Sequence, residues 1–268
     1  MTLAVCATPI GNLDDITLRV LAEFREAQLV LCEDTRRTKI LLERHGISAR
    51  TLSYHRHNEA RRTAEVLPRL QAGERIALAS DAGLPGVSDP GARLIAAALD
   101  AGLDVSVLPG PSAVETALVA SGLGGGPYRF LGYLPRTETA LAELCRALAQ
   151  WPDAAVAFES PKRLPRTLAS LAQAMPARRV AVCRELTKRF EEVVRGTASD
   201  LVARFPEAPK GEITLVVGEA PAREPAGDNE AVAAVSELVS YGVPRGRAAE
   251  LVAGLTGIAR NKLYRASL

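Results

Sequence analysis

No apolar run in this 268-residue sequence approaches the roughly 18 residues that a membrane-crossing helix needs, so no transmembrane helix is expected. The opening Met1-Thr2-Leu3-Ala4-Val5-Cys6 has no basic stretch before its apolar residues, and reads as a first strand rather than a secretory signal. The four cysteines, Cys6, Cys32, Cys145 and Cys183, form no C-x-x-C pair. Each sits in an apolar stretch, which predicts buried, reduced thiols in a cytoplasmic protein. There is no G-x-x-x-x-G-K-[ST] and no G-x-G-x-x-G after the first strand. Those absences argue against a P-loop NTPase and an ordinary Rossmann dehydrogenase. Hydrophobic residues at 47% and charged residues at 24% exclude wholesale disorder.

Lysine is scarce: 33 residues are basic, yet only five are Lys, at 39, 162, 188, 210 and 262. The net charge is only +2, but it is unevenly spread. Eight basic and two acidic residues lie between Arg36 and Arg62, and nine basic and three acidic between Lys162 and Arg195. Guanidinium groups suit bidentate phosphate contact, so these segments are candidate nucleic-acid surfaces. Solvated helix faces would produce the same counts.

The length predicts more than one domain. Short apolar runs at Leu3–Ala7, Leu29–Cys32, Arg75–Ser80 and Asp104–Leu108 alternate with segments of helical length, the pattern of an α/β domain with a parallel sheet. Asp14 or Asp15 is expected to cap a helix with Leu18, Leu21 and Phe24 on one side. A helix from Thr35 should end at Gly46, and Pro68 should kink or divide a helix over 58–73. Ser88-Asp89-Pro90 reads as a cap followed by a first helical proline. Ser112 should cap a helix ending near Gly122.

Leu123-Gly124-Gly125-Gly126-Pro127 then breaks the chain. Strands are predicted at Tyr128–Tyr133, Ala154–Glu159, Arg179–Glu185, Glu191–Gly196 and Ile213–Val217, with helices between them. The turn Thr187-Lys188-Arg189 makes this second sheet mixed, and Thr197 with Asp200 has capping-box spacing. A linker over 220–228 leads to a helical end resembling a helix-turn-helix, or equally a plain helical hairpin. The predicted organisation is an α/β domain at 1–122, a second at 127–219 and a helical module at 229–268.

The densest chemical signal is Ser80-Asp81-Ala82-Gly83-Leu84-Pro85-Gly86-Val87-Ser88-Asp89-Pro90-Gly91, between a strand and a helix. Its glycines and prolines expose backbone groups and admit a ligand closely. Thr8–Asn12, Glu33–Arg36 and Pro109–Ala113 should reach the same carboxyl edge of the sheet and form a pocket with it. His55 and His57 would share a face on a strand, but a third and fourth metal ligand are missing, so no metal is expected. Contact with substrate, or helix capping by Asn58, is the better reading. Glu159, in Phe158-Glu159-Ser160-Pro161-Lys162-Arg163, is either buried or functional.

Together these stretches resemble one family. T-P-I-G-N-L-x-D-I-T (Thr8–Thr17), E-D-T-R (Glu33–Arg36), H-x-H-N-E (His55–Glu59), S-D-A-G-x-P-G-x-S-D-P-G (Ser80–Gly91), P-G-P-S-A (Pro109–Ala113), F-E-S-P-K-R (Phe158–Arg163) and K-G-E-x-T (Lys210–Thr214) are similar to motifs of the bacterial small-subunit rRNA (cytidine-2′-O)-methyltransferases. These enzymes fall within the tetrapyrrole methylase superfamily. The resemblance implies two α/β domains, S-adenosylmethionine in the cleft between them, a homodimer, and methylation of a ribose 2′-hydroxyl in the decoding region of 16S rRNA.

The same resemblance places Pro9, Ser80, Asp81, Ala82, Gly83, Val87, Ser88, Ser112, Ala113, Phe158, Glu212, Ile213 and Thr214 around the cofactor. A ribose hydroxyl must lose its proton, so Glu33, Asp34 or Glu59 is expected to accept it, or Lys162 to polarise the oxygen. Arg36, Arg37, His55, His57, Asn58, Arg163, Lys188 and Arg189 are the expected RNA contacts. Two rivals share parts of this pattern: a tetrapyrrole methyltransferase, and an RNA-binding module without catalysis.

Overall fold

The computed structural model describes residues 3–221 and 228–268. Residues Met1–Glu219 form one compact unit and Ala220–Leu268 another. In the first, the apolar runs become strands. β1 (Leu3–Cys6), β2 (Leu29–Cys32), β3 (Thr51–Ser53), β4 (Ile76–Ala79) and β5 (Val105–Leu108) pair in parallel, in the order β3-β2-β4-β1-β5. β1, β2 and β4 are buried along their whole length, as strands covered on both faces must be. The half-buried β3 has no apolar run to reveal it in the sequence.

Helices cover both faces. Ala4, Cys6, Val30, Cys32 and Ala77 pack with Val20, Leu21, Phe24, Leu41 and Leu42 of α1 (Leu18–Glu26) and α2 (Thr35–Arg44). The alternate strand residues Leu3, Leu29, Leu31, Ile76 and Leu78 pack with Val66, Leu70, Leu94 and Ala98 of α3 (Glu59–Gln71) and α4 (Ala92–Asp100).

Several helix ends differ from the sequence reading. Thr17 caps α1, accepting from the Val20 N–H at 3.3 Å. Asp14 and Asp15 instead lie in a 3-10 turn capped by Asn12, and Leu18 is exposed. α3 continues through Pro68 to Gln71; near a helix end, the missing N–H sacrifices little of the ladder. α4 begins after Gly91, at φ 138°, rather than at Pro90. Ser88 takes φ 63° and turns the chain before that helix. Asp89 is therefore not a cap. α2 and α5 (Ala113–Ser121) end as expected, near Gly46 and at the left-handed Gly122.

The second sheet is mixed, as predicted. β6 (Tyr128–Tyr133), β7 (Ala154–Glu159), β8 (Arg179–Arg184), β9 (Glu192–Thr197) and β10 (Ile213–Val217) run in the order β6-β7-β10-β8-β9; only β6 and β7 are parallel. α6 (Glu138–Ala149), α7 (Leu164–Ala174) and α8 (Ala198–Arg204) cover one face. α8 starts with the Thr197–Asp200 capping box. The other face packs on α5 and Ile10 through Val114, Ala117, Leu118, Val156, Ala181 and Val216. α5 thus follows the last strand of the first sheet in the chain but packs on the second sheet.

The second unit holds α9 (Asp228–Ser240), α10 (Arg245–Thr256) and α11 (Arg260–Ala266) around Ala231, Val235, Ala248, Val252 and Leu263. Gly257, at φ 73°, makes the turn between the last two helices. Of the linker expected over 220–228, residues 222–227 lie outside the described residues.

Candidate active site

Because the first sheet is parallel, the chain leaves every strand at the same edge, and the loops after β1, β2, β4 and β5 gather there. Two of them are pinned together. Thr8 and Gly83 exchange backbone hydrogen bonds at 2.9 and 3.0 Å, and the Thr8 hydroxyl donates to the Ser80 carbonyl at 3.0 Å. The Ser80 hydroxyl donates back to the Gly83 carbonyl at 3.0 Å. This is the local reason that a glycine- and proline-rich segment holds one shape.

These loops and the facing edge of the second sheet enclose a cavity of about 730 Å³. That is ample for a nucleoside-sized ligand. Of the expected cofactor contacts, Asp81, Ala82, Gly83, Val87, Ser88, Ser112 and Ala113 line it from the first half. Phe158, Glu212, Ile213 and Thr214 line it from the second. Pro9 and Ser80 line an adjoining cavity of about 220 Å³, which shares Asp81, Ala82 and Glu212 with the first.

The walls differ in character. The second half presents Phe130 and Phe158, whose rings meet edge to face with centroids 5.1 Å apart, and the more exposed Tyr133, whose ring lies 5.5 Å from Phe158. The first half presents four carboxylates, Glu33, Asp81, Asp89 and Glu115, and the second adds Glu159 and Glu212. Burial raises the Glu33 carboxyl, and Asp81 adds to the rise. Burial also pushes Asp89 up to about 6, helped by Glu33 and Asp81. Asp81 accepts from the Asp34 N–H at 3.0 Å and from Arg37 at 3.4 Å. The Phe130–Phe158 pair in a cavity lined by carboxylates fits a ligand with a planar base at one end and positive charge at the other. S-adenosylmethionine, with its adenine, sulfonium and ammonium groups, is such a ligand.

Of the four expected proton-handling residues, only Glu33 lines the cavity. Asp34 caps α2 and takes two hydrogen bonds from the Arg36 guanidinium, at 3.0 and 2.7 Å. Those bonds hold its carboxyl down to about 2, a poor proton acceptor at neutral pH. Glu59 lies 3.9 Å from Arg93 and off the cavity wall. Lys162 is exposed, beside the cavity-lining Pro161.

The expected RNA contacts separate further. Arg36, Arg189 and His57 are exposed, and Arg37 sits at the cavity wall. His55 and His57 lie in the turn after β3, not on a strand; Asn58 holds that turn, accepting from the His55 N–H at 2.8 Å. Arg163 is occupied internally: it pairs with buried Glu159 at 2.5 Å and donates to the Leu134 and Pro135 carbonyls, both at 3.1 Å. Lys188 is likewise engaged, with Glu185 at 2.9 Å and Glu212 at 3.0 Å. Asp89 and Tyr133 are among the cavity residues that sequence reasoning missed, with Glu115, Tyr128 and Phe130. Asp89 stood inside a quoted motif but was read as a cap.

Residues 2–202 match the profile of the Tetrapyrrole (Corrin/Porphyrin) Methylases. The chain belongs to the tetrapyrrole methylase family. Within it, this methylase is 44% identical to the ribosomal RNA small subunit methyltransferase I of Mesorhizobium japonicum, over 98% of this chain and 90% of that one. It is 40% identical to the protein of the same name from Synechocystis, over 99% and 97%. Among solved structures it resembles the methyltransferase CobJ, with a TM-score of 0.64 at 22% identity over 83% of this chain and 95% of that one. It also resembles the uroporphyrin-III C-methyltransferase of Thermus thermophilus complexed with S-adenosyl homocysteine, with a TM-score of 0.59 at 17% identity over 81% and 97%.

Proposed function

We propose that this methylase transfers a methyl group from S-adenosylmethionine to the ribose 2′-hydroxyl of a cytidine in the decoding region of 16S rRNA. Its substrate is the small ribosomal subunit, and it works as a homodimer in the cytoplasm. The observation that carries the reading is near-full-length identity of 40–44% to relatives named as small-subunit rRNA methyltransferases. The E-D-T-R, H-x-H-N-E and S-D-A-G motifs supply the narrower choice of a ribose oxygen.

The bound cofactor supplies an activated methyl group on a sulfonium. The chain must hold that group in line with the acceptor oxygen, which is itself a large part of the catalysis. The pinned Thr8–Gly83 loops and the Phe158 wall do this holding. Asp89 or Glu33 takes up the one hydroxyl proton: both line the cavity, and burial has made each a better acceptor than an ordinary carboxylate. Arg36, Arg37 and Arg189 attract RNA phosphates.

A tetrapyrrole acceptor is the rival reading. The experiment that separates the two is transfer of labelled methyl from S-adenosylmethionine to unmethylated small subunits, followed by alkaline digestion. An alkali-resistant dinucleotide carrying 2′-O-methylcytidine is expected. Unlabelled RNA, alongside demonstrated cofactor binding, would overturn the acceptor assignment.

A further inference from the structure

β6 contains an irregularity that changes which side chains face the cavity. Phe130 pairs with Val156 and Tyr133 with Phe158, so three steps along β6 match two along β7. Gly132 sits in this bulge at φ 64°, a backbone conformation that glycine adopts without strain. In a regular strand, residues three apart point to opposite faces. Here Leu131 and Leu134 both pack into the core under α6 and α7, and Phe130 and Tyr133 both turn to the cavity. The bulge therefore aims Tyr133 at the cleft.

Among the rings that line the cavity, Tyr133 is the most open, at 66% exposure. It meets Phe158 edge to face at 5.5 Å and 61°, which supports the ring without covering it. The carboxylates of Asp89, Glu212 and Glu33 and the guanidinium of Arg163 all act on its hydroxyl. Arg163 donates to the carbonyls of the next two residues, Leu134 and Pro135. Arg136 and Lys162, which follow and precede those residues in the chain, are exposed and have no ion partner among the described residues. An open ring is a stacking surface for an unstacked base, and exposed Arg136, three residues along the chain, is a cation available to its phosphate.

The geometry points to Tyr133 as the stacking platform for the pyrimidine of the acceptor nucleotide. This rests on the RNA-methyltransferase reading above. A nucleotide whose ribose enters this cleft loses stacking on its neighbours, and a ring at the mouth, Tyr133, replaces it.

The test compares wild type, Tyr133→Ala and Tyr133→Phe. Three quantities are measured: kcat/KM for unmethylated small subunits, their affinity in the presence of S-adenosylhomocysteine, and the affinity for S-adenosylmethionine alone. For Tyr133→Ala, a loss of about tenfold or more is expected in kcat/KM and in subunit affinity, the range of one base–ring stack. Cofactor affinity should stay within about twofold of wild type in all three proteins; this also verifies folding. Tyr133→Phe should restore activity, since stacking needs the ring and not the hydroxyl. Three results would overturn the proposal: unchanged activity in Tyr133→Ala, equal losses in Ala and Phe, or a cofactor affinity that falls with the ring. A wild type that binds cofactor yet labels no RNA overturns the acceptor reading instead, and the proposal with it.

Discussion

The Asn12 N–H donates to the Thr187 hydroxyl at 2.9 Å, joining the first loop of one sheet to the β8–β9 turn of the other. The junction is tight. A Cβ on the preceding Gly11 would stand 2.5 Å from Lys188 Cγ, 2.6 Å from Thr187 Oγ1 and 2.8 Å from the Leu186 carbonyl. Thr187 itself adopts φ 63°, and Glu185 φ 53°. The Glu185 carboxylate fastens the turn, accepting from Lys188 at 2.9 Å and from the Glu212 N–H at 2.8 Å. The Asn12–Thr187 bond lies between the halves that enclose the cavity, and the Glu185 bonds brace the turn within the second half.

Gly11→Ala should accordingly cost about 1–3 kcal/mol of stability, as overpacking does elsewhere. Cofactor affinity should fall with it, because the two walls can no longer meet. Chemical denaturation and a cofactor titration would check both. An unaltered titration would mean that the turn yields without disturbing the cavity.

Glu159 and Arg163 should behave as structural partners. The carboxylate is fully buried, paired at 2.5 Å with Arg163 and accepting from the Thr167 hydroxyl at 2.5 Å. Arg163→Ala strands that charge, and a loss of about 3–5 kcal/mol is expected. The salt dependence of RNA binding should be unchanged in the variant. A smaller salt slope with normal stability would return Arg163 to the RNA surface.

The pH profile should report Asp89. A proton acceptor must be ionised, so methyl transfer should fall as pH drops through about 6. Asp89→Asn should lower the rate and flatten that limb. The stability effect has the opposite sign. Asp89 is raised on folding, so the native state holds its proton more tightly, and its contribution is present at low pH and lost as pH rises through about 6. At pH 8, Asp89→Asn should therefore raise Tm. A variant that is both slower and less stable would mean that Asp89 serves as a hydrogen-bond acceptor in the fold.

Arg36 is 88% exposed on its side chain, and Arg189 is exposed in the β8–β9 turn. Replacing either with Ala should weaken small-subunit binding and reduce the slope of log affinity against log salt by about one. Cofactor affinity should not change. Binding measured from low to moderate salt would expose any residue that touches no phosphate.

Much of the fold was legible because fully buried strands leave apolar runs. β1, β2, β4 and β10 could hardly be anything else. β3 escaped because three half-buried residues at a sheet edge need little apolar character. Strand order was not legible, since it depends on contacts between distant segments. The helix starts misread were those with more than one residue able to precede the first turn. Thr17 prevailed over Asp14 and Asp15, and Gly91 over Asp89. Site residues were legible where they sat in glycine-rich loops. Charge was a poorer guide, because Arg163 and Lys188 look like free cations until their carboxylate partners are seen. Tyr133 was hidden for a different reason: a bulge reverses the facing that strand alternation assigns.

The four cysteines give each sheet its own clock. Cys6 and Cys32 are sealed in the core beneath α1 and α2, Cys145 lies under α7, and Cys183 lies behind α5. Burial pushes all four thiols up, so none presents a thiolate to a reagent while its surroundings stay closed. Alkylation must therefore wait for local opening. Mass spectrometry of the labelled peptides would time that opening separately in the two halves, and ligand that bridges them should slow both clocks together.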